Sequence, residues 1–307
     1  MSQPSSLLPP AGSTRRAGPA LYMLVAVALF ALMDAGLKLL SPHYPAMQVA
    51  TLRGASALPL VLAWSLASIG ARGLLRVHWP LHLLRGVLGV AMMAGFVYGL
   101  RTLPLSTVYA ITFVAPLLVT AMAVPILREK VGPRRWAAIF VGLIGVLVVL
   151  RPTGQGMMTL GGLAILLAAV CYAASAITVR LLAQRDSTQA MVFWLMLILV
   201  VGGGALSSHE WAPIQARHWW VIGGIGVVGT LAQVLLTEAF RRGEASMIAP
   251  LEYTALVWGV MLDLALWRVL PDGMTWVGAG IIIASGLYMI RRERVRNVEH
   301  AQPVEHP

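Results

Sequence analysis

Ser106 to Arg151 reads STVYAITFVAPLLVTAMAVPILREKVGPRRWAAIFVGLIGVLVVLR, and Ser246 to Arg291 reads SMIAPLEYTALVWGVMLDLALWRVLPDGMTWVGAGIIIASGLYMIR. At one constant register Ser106 falls on Ser246, Phe113 on Tyr253, Trp136 on Trp276 and Arg151 on Arg291. Each copy is a pair of apolar segments interrupted by proline or glycine, with a basic or turn-rich link between them. Internal duplication of this kind decides an architecture before any local motif does.

The composition says where such a unit can live. The chain is 58% hydrophobic and 11% charged, with a mean hydropathy of +0.79. A water-soluble domain of this length has no means of hiding that much apolar surface. Long apolar runs joined by short basic links are the pattern of a membrane protein. The net charge of +11 does not point to nucleic acid, because most of the cations sit in alternate links between apolar runs. The one cysteine, Cys171, excludes an intramolecular disulfide framework.

Outward from the duplicated stretch, ten spans are predicted at 19–40, 46–69, 81–100, 104–127, 134–151, 159–182, 189–207, 217–240, 246–266 and 274–290. Each is close to the roughly 20 residues that cross about 30 Å of hydrocarbon. Residues 1–18 read as a disordered cytoplasmic segment rather than a cleaved signal, and 291–307 as a basic cytoplasmic tail. Arg15, Arg16, the even-numbered links (Arg72, Arg76, Arg128, Lys130, Arg134, Arg135, Arg180, Arg185, Arg241, Arg242) and the tail hold most of the cations. Only Arg101, Arg151, Arg217 and Arg268 lie opposite. Cations concentrate on the cytoplasmic side of membrane proteins, which puts both termini there.

The fold class that follows is an all-α polytopic membrane protein with ten transmembrane helices in two inverted five-helix repeats, 19–151 and 152–290. Five is odd, so the second repeat crosses the membrane in the opposite sense, an arrangement many secondary transporters use around a midplane site. The earlier spans echo as well: Phe30, Lys38, Leu39 and Leu40 align with Tyr172, Arg180, Leu181 and Leu182. For Arg180 a flank residue snorkelling to the interface competes with an interior role.

Two five-helix halves, each ending in a proline-containing span and a glycine-rich span, resemble the EamA-type repeats of the drug/metabolite transporter superfamily. The clearest match is VAPLLVTAMAVPILREKVGPRRWAAIFVGLIGVLVV, with Pro116, Glu129, Gly142 and Gly145. That family commonly ends its fourth span with Glu, where Glu129 stands. Within the superfamily, ALMDAGLKLLSPHYPAMQVATLRG and APLEYTALVWGVMLDLALW look closest to bacterial importers of riboflavin or S-adenosylmethionine. The second half departs from the pattern, with Val269 at the register of Glu129. The resemblance implies alternating access by the two halves, with spans one, three, four, six, eight and nine lining a central site.

Ionisable groups inside spans are costly and need a reason. Asp34 and Arg53 lie roughly 9–10 Å below the outer ends of their spans at about 1.5 Å per residue, so an ion pair facing the bundle interior is expected, either structural or facing substrate. Glu252 and Asp263, eleven residues apart, share one face if span nine is a continuous α-helix. Pro250 removes a backbone donor beside Glu252, and Glu252 with Tyr253 is the leading contact for substrate or proton. Span eight carries a polar stripe at Thr230, Gln233, Thr237 and Arg241, bordered by Glu238; such a stripe either bonds neighbouring helices or lines a cavity. In span four the matching residues are Ser106, Tyr109, Phe113, Pro116 and Thr120, with Thr112 at the register of Glu252, and span six offers Tyr172. Pro116 and Pro250 are the expected hinges.

Gly224-Ile-Gly226-Val-Val-Gly229 fits a dinucleotide fingerprint but lies inside an apolar span, so close helix packing explains it better. Gly95 and Gly99 read the same way. No catalytic residue, cofactor or metal site is expected, since the chain has no H-E-x-x-H, G-x-S-x-G or Walker A loop. The reading is a secondary transporter of a small organic metabolite in the bacterial inner membrane, without ATP hydrolysis. Its alternatives are a multidrug or amino-acid efflux carrier of the same fold and, from another class, a membrane-embedded enzyme or an oligomeric channel. The expected partners are a small-molecule substrate and membrane lipid but no nucleic acid, with a homodimer left open.

Overall fold

The computed structural model describes residues 18–40, 42–102, 111–150 and 160–268, with isolated positions between 273 and 288. Tyr109, Ser106, both terminal segments and much of the tenth expected span lie outside the described residues. Among those described, every regular element is helical. In order they are α1 (Pro19–Leu40), α2 (Ala46–Leu75), α3 (Trp79–Thr102), α4 (Ala115–Leu127), α5 (Pro133–Leu150), α6 (Leu160–Leu182), α7 (Thr188–Ser207) and α8 (Trp219–Arg242). Span nine follows in three pieces: α9 (Ala245–Ile248), a 3₁₀ segment (Ala249–Thr254) and α10 (Ala255–Trp267).

The ends of these helices follow local chemistry. Pro19 and Pro133 open α1 and α5, where a missing N–H costs nothing and a fixed φ helps. Ser187 caps α7 by accepting the Ala190 N–H at 3.3 Å. α2 runs past its expected end at 69, but Gly70 adopts φ 65° and ψ 174°, a conformation open mainly to glycine. The expected boundary is thus a break in direction, followed by one more helical turn.

Seven segments among the described residues are long and apolar enough to cross a membrane, and Ala115–Leu127 is a shorter apolar helix. Their outward faces suit lipid. On α6, Leu160, Leu163, Leu167 and Val170 are exposed along one stripe, whereas Ile165, Ala169, Ala173 and Ile177 on the other side are buried. A stripe of that size is an aggregation hazard in water and ordinary in a bilayer. Trp211, Trp219 and Trp220 are exposed together in the link between α7 and α8 and at the start of α8, as expected at a membrane interface.

The packing repeats when the halves are exchanged. α1 packs on α8 and α3 on α6; α2 packs on α8 and α3 on α7; α4 packs on α6 and span nine on α1. Each pair becomes the other when a helix is replaced by the one five spans away. The contacts α2 with α7 and α4 with span nine map onto themselves. Phe113 and Tyr253, equivalent by sequence, meet with ring centroids 6.1 Å apart. Arg128 and Arg268, also equivalent, both take a left-handed conformation, with φ of 55° and 54°.

Small residues allow the closest crossings. A Cβ on Gly226 would lie 2.7 Å from the Ser56 carbonyl oxygen on α2, and one on Gly95 would lie 2.7 Å from the Ala164 carbonyl oxygen on α6. Gly226 and Gly229 of the α8 fingerprint are therefore packing positions, and Gly95 serves the same purpose in α3.

Candidate functional site

The exposed residues of α1 separate lipid from interior. Leu21, Val25, Leu32 and Leu39 form one exposed stripe. Asp34 is also exposed, but at about 100° per residue it points roughly 200° away from that stripe, toward the bundle. Its neighbours on the inner side are Met23, Val27 and Phe30. The Arg53 guanidinium lies over the Phe30 ring, 5.5 Å from its centroid, and feels the Asp34 charge. Among the described ion pairs none joins Asp34 to Arg53, so the two are brought to one region without direct contact. Arg53 also borders a cavity of ≈ 20 Å³ with Met47, Gly54, Val90, Met196 and Gly203, room for about one water.

Span nine is where the structure alters the sequence reading most. The continuous helix expected over 246–266 gives way to 3₁₀ geometry from Ala249 to Thr254. A 3₁₀ turn advances about 120° per residue instead of 100°, so the phase between residues either side slips. The shared face expected for Glu252 and Asp263 depended on unbroken α geometry and does not follow; the Asp263 side chain lies outside the described residues. The first copy breaks at the equivalent place, in a turn at Phe113–Val114 just before Pro116. Pro116 and Pro250 each sit in the first positions of the element that follows.

Glu252 Oε1 is buried without a partner, and Tyr172 on α6 lies near its carboxyl group. Tyr253 goes elsewhere. Its ring is 2% exposed and packs with Phe113, Leu143 and Val257, close enough to α5 that a Cβ on Gly142 would be 2.7 Å from it. Glu252 and Tyr253 therefore face different surroundings, because one residue along a 3₁₀ segment turns by a third of a circle.

Arg85, on α3, was missed by counting cations in links. It is 3% exposed, donates from Nη1 to the Met191 carbonyl at 2.9 Å, and lies within electrostatic reach of Tyr172. Its Nε has no partner. The available signal was position alone: a basic residue five places into span 81–100, where a charge needs a reason. Near it, His82 and the His78 backbone N–H both bond Asp186, at 2.9 and 3.0 Å, tying α3 to the α6–α7 link.

The two threonines of the α8 polar stripe bond within their own helix. Thr230 donates to the Gly226 carbonyl and Thr237 to the Gln233 carbonyl, each at 2.7 Å. Thr120 does the same to Pro116 at 3.0 Å. Threonine satisfies itself one turn back when no better acceptor faces it. Gln233 is buried. Glu238 belongs to a local cluster with Thr188, Arg241 and Arg242. Thr112 lies immediately before the turn at Phe113.

A second polar assembly joins the halves at the end where α4 finishes and α9 begins. The left-handed turn at Arg128 swings Glu129 toward the start of α9. There Glu129 accepts from the Ala245 N–H at 2.8 Å, the Ser246 N–H at 3.0 Å and the Ser246 hydroxyl at 2.7 Å. A carboxylate on free N–H groups at a helix start is favourable in both hydrogen bonding and charge. Arg135 donates to Ser246 Oγ at 3.0 Å and pairs with Glu244 at 2.7 Å. Arg180 stands 3.9 Å from Glu129 and donates to the Arg241 carbonyl at 3.2 Å, so it knits this end rather than merely snorkelling. At the other end, Gln48 pairs through both side-chain atoms with the Ala212 backbone, at 2.6 and 2.8 Å. Tyr44 there bonds His218 at 2.8 Å.

Comparison with known proteins fits this geometry. A model of the EamA-like transporter family matches residues 18–151 and again residues 159–291. A riboflavin transporter of Vibrio cholerae is 30% identical over 289 residues, covering 91% of this chain and 96% of that protein. A pseudopaline exporter of Pseudomonas aeruginosa is 26% identical, covering 89% and 96%. An S-adenosylmethionine uptake transporter of Rickettsia conorii is 29% identical, covering 69% and 72%. A crystal structure superposes with a TM-score of 0.78 over 87% of this chain and 95% of its own, at 18% identity, a likeness of fold alone. With both halves matched, the chain belongs to the EamA-like transporter family: it is a multi-pass transporter of the bacterial inner membrane and not an enzyme.

Proposed function

We propose that this protein is a secondary carrier that moves a small organic metabolite across the inner membrane by alternating access, without ATP hydrolysis. In this reading two inverted five-span units, 19–151 and 152–290, rock about an interior lined by Asp34, Arg53, Tyr109, Thr112, Tyr172, Gln233, Glu252 and Tyr253. Pro116 and Pro250 act as hinges. The observation that carries the reading is Glu252, an acid with a bare oxygen at a helix break where both halves meet. Interior carboxylates at broken helices are the ordinary contacts of solutes and coupling ions in such carriers.

Glu129 on Ala245 and Ser246 forms the cytoplasmic latch, which opening toward the cytoplasm must part. Glu238 belongs to the same cytoplasmic end. The relatives include proteins named for uptake and for export, and they support a small organic solute without fixing a direction. Purified protein in liposomes loaded with riboflavin, S-adenosylmethionine or an amino acid should show saturable uptake of the labelled solute and counterflow. Unsaturable flux for every solute admitted would replace the carrier with a channel. A periplasm-dependent reporter fused after Arg296 should stay silent, and activity there would overturn the cytoplasmic placement of the C-terminus.

A further inference from the structure

Two of the contacts between the halves are equivalent by register, one at each end of the bundle. Tyr44 and Asp186 each stand two residues before the helix that follows, α2 or α7. His78 and His218 each stand one residue before α3 or α8. Exchanging the halves therefore turns His218 on Tyr44 into His78 on Asp186. At the inner end, Asp186 accepts from the His78 N–H at 3.0 Å and meets His82 Nε2 at 2.9 Å. At the outer end, opposite the Glu129 contacts, the Tyr44 hydroxyl accepts from the Gln215 N–H at 2.9 Å. The same hydroxyl meets His218 Nδ1 at 2.8 Å.

The chemistry of the two contacts differs. A carboxylate only accepts, so His82 presents Nε2–H to Asp186 whether or not its ring is protonated. That bond survives a change of charge, with Arg85 and His78 as the other groups acting on the ring. The outer contact is altered by it. Tyr44 Oη already accepts the Gln215 N–H, so its own proton is assigned to His218 Nδ1, which is then a bare acceptor. A proton added at Nδ1 removes that acceptor and strands the phenol proton of Tyr44, a residue 4% exposed. The groups facing His218 add to the cost. The His43 ring lies 4.7 Å away between centroids, and Arg217, bonded to Gln215 Oε1, precedes it in the chain. No carboxylate is among the described groups acting on His218.

Resting on the carrier reading above, we propose that His218 and His43 form a proton site that opens the outer end of the carrier while the equivalent inner contact holds. In the orientation proposed above, the outer end is periplasmic. The proton comes from the solution on that side, where His43 is exposed, and adds to His218 Nδ1. Tyr44 then loses its acceptor, and the new charge stands against Arg217 and, once it too is protonated, His43. The α1–α2 link parts from the segment that leads into α8. Gln48, paired with the Ala212 backbone at the same end, does not titrate and keeps the two links in register. An acidic outer solution thus favours the outward-facing state.

Val49→Cys in a Cys171→Ala background, buried in one cluster with Tyr44, reports on the outer end. Its labelling rate by a water-soluble maleimide in nanodiscs is divided at each pH by that of the exposed Ser208→Cys. The ratio should rise about tenfold between about pH 8 and about pH 5.5. Ala245→Cys at the inner end should change by less than about twofold. His218→Gln keeps an acceptor without titrating and should flatten the Val49→Cys rise to less than about twofold. His43→Gln removes a like charge and should move the midpoint upward by about half a pH unit. Tyr44→Phe should raise the rate at about pH 8 and leave a smaller rise. Melting temperatures separate these effects from loss of folding, and should His218→Gln not fold, His43→Gln and Tyr44→Phe decide. A flat profile, an equal rise at Ala245→Cys, an undiminished rise in His218→Gln or an unmoved midpoint in His43→Gln would overturn the proposal. Counterflow of labelled riboflavin, S-adenosylmethionine or an amino acid in liposomes reads the carrier function separately. Counterflow with a flat thiol profile would end the proton site alone, and its absence for every solute at every pH would end the carrier reading.

Discussion

Arg128 and Arg268 close corresponding helices in the same left-handed turn, yet the residues after them differ in kind. In the first half Glu129 follows and reaches three donors of α9; in the second half Val269 occupies that register. The same contrast recurs inside the bundle. Thr112 and Glu252 precede the aromatic pair Phe113 and Tyr253, and at the register joining Phe30 to Tyr172, Asp34 corresponds to Ala176. Backbone turns, helix breaks and packing partners repeat between halves, whereas acids do not. A carrier needs near-equal energies for its two facings, which a repeated scaffold supplies. It needs a solute held in one orientation, which only unequal side chains supply.

The largest test of that difference sets Glu252→Gln against Thr112→Val. The first should lower transport by about tenfold or more, the loss of about 1.4 kcal/mol or more from a buried carboxyl group at the helix break. The second should change initial rates of labelled uptake by less than about threefold. Equal losses would mean that the halves share the chemistry as well as the scaffold.

Glu129→Ala comes next. Removing a carboxylate from two helix-start N–H groups and a hydroxyl should cost about 1–3 kcal/mol. It should also raise the thiol-labelling rate of a cysteine placed at Ala245 in a Cys171→Ala background. An unchanged rate would show that the Glu129 contacts do not hold this end closed. A smaller effect is expected from Gly226→Ala, which drives a methyl against the Ser56 carbonyl and should destabilise by about 1–2 kcal/mol in thermal unfolding. Gly224→Ala, with nothing within 4 Å, should be neutral or slightly stabilising, since alanine favours helix by about 1 kcal/mol. Last, Thr237→Val should shift stability by less than about 0.5 kcal/mol and leave uptake intact, because the hydroxyl serves only its own helix. A clear transport defect there would return the α8 stripe to the solute path.

Much of the scaffold is legible in the sequence because hydropathy, repeats and breaks are properties of consecutive residues. The duplication from Ser106 and Ser246, the near coincidence of expected and observed helices, and the interruptions near Pro116 and Pro250 all follow from spacing. Interior charges are legible for the same reason: Asp34, Arg53 and Glu252 stand out in apolar runs, as Arg85 does once position inside a span outweighs proximity to a link.

Partnership is a different matter. Glu129 finds Ser246 across 117 residues, Tyr253 packs against Phe113 and Leu143, and Asp34 and Arg53 approach without pairing. Each outcome depends on the rotation of one helix about its axis relative to another. A few residues of 3₁₀ geometry are enough to change that rotation, and the chain order does not encode it locally. The sequence by itself determined a duplicated, membrane-embedded bundle with acids in one half that the other lacks. Only the tertiary structure decided which groups those acids meet, because hydrogen bonds are made at fixed distances between side chains that packing alone brings together.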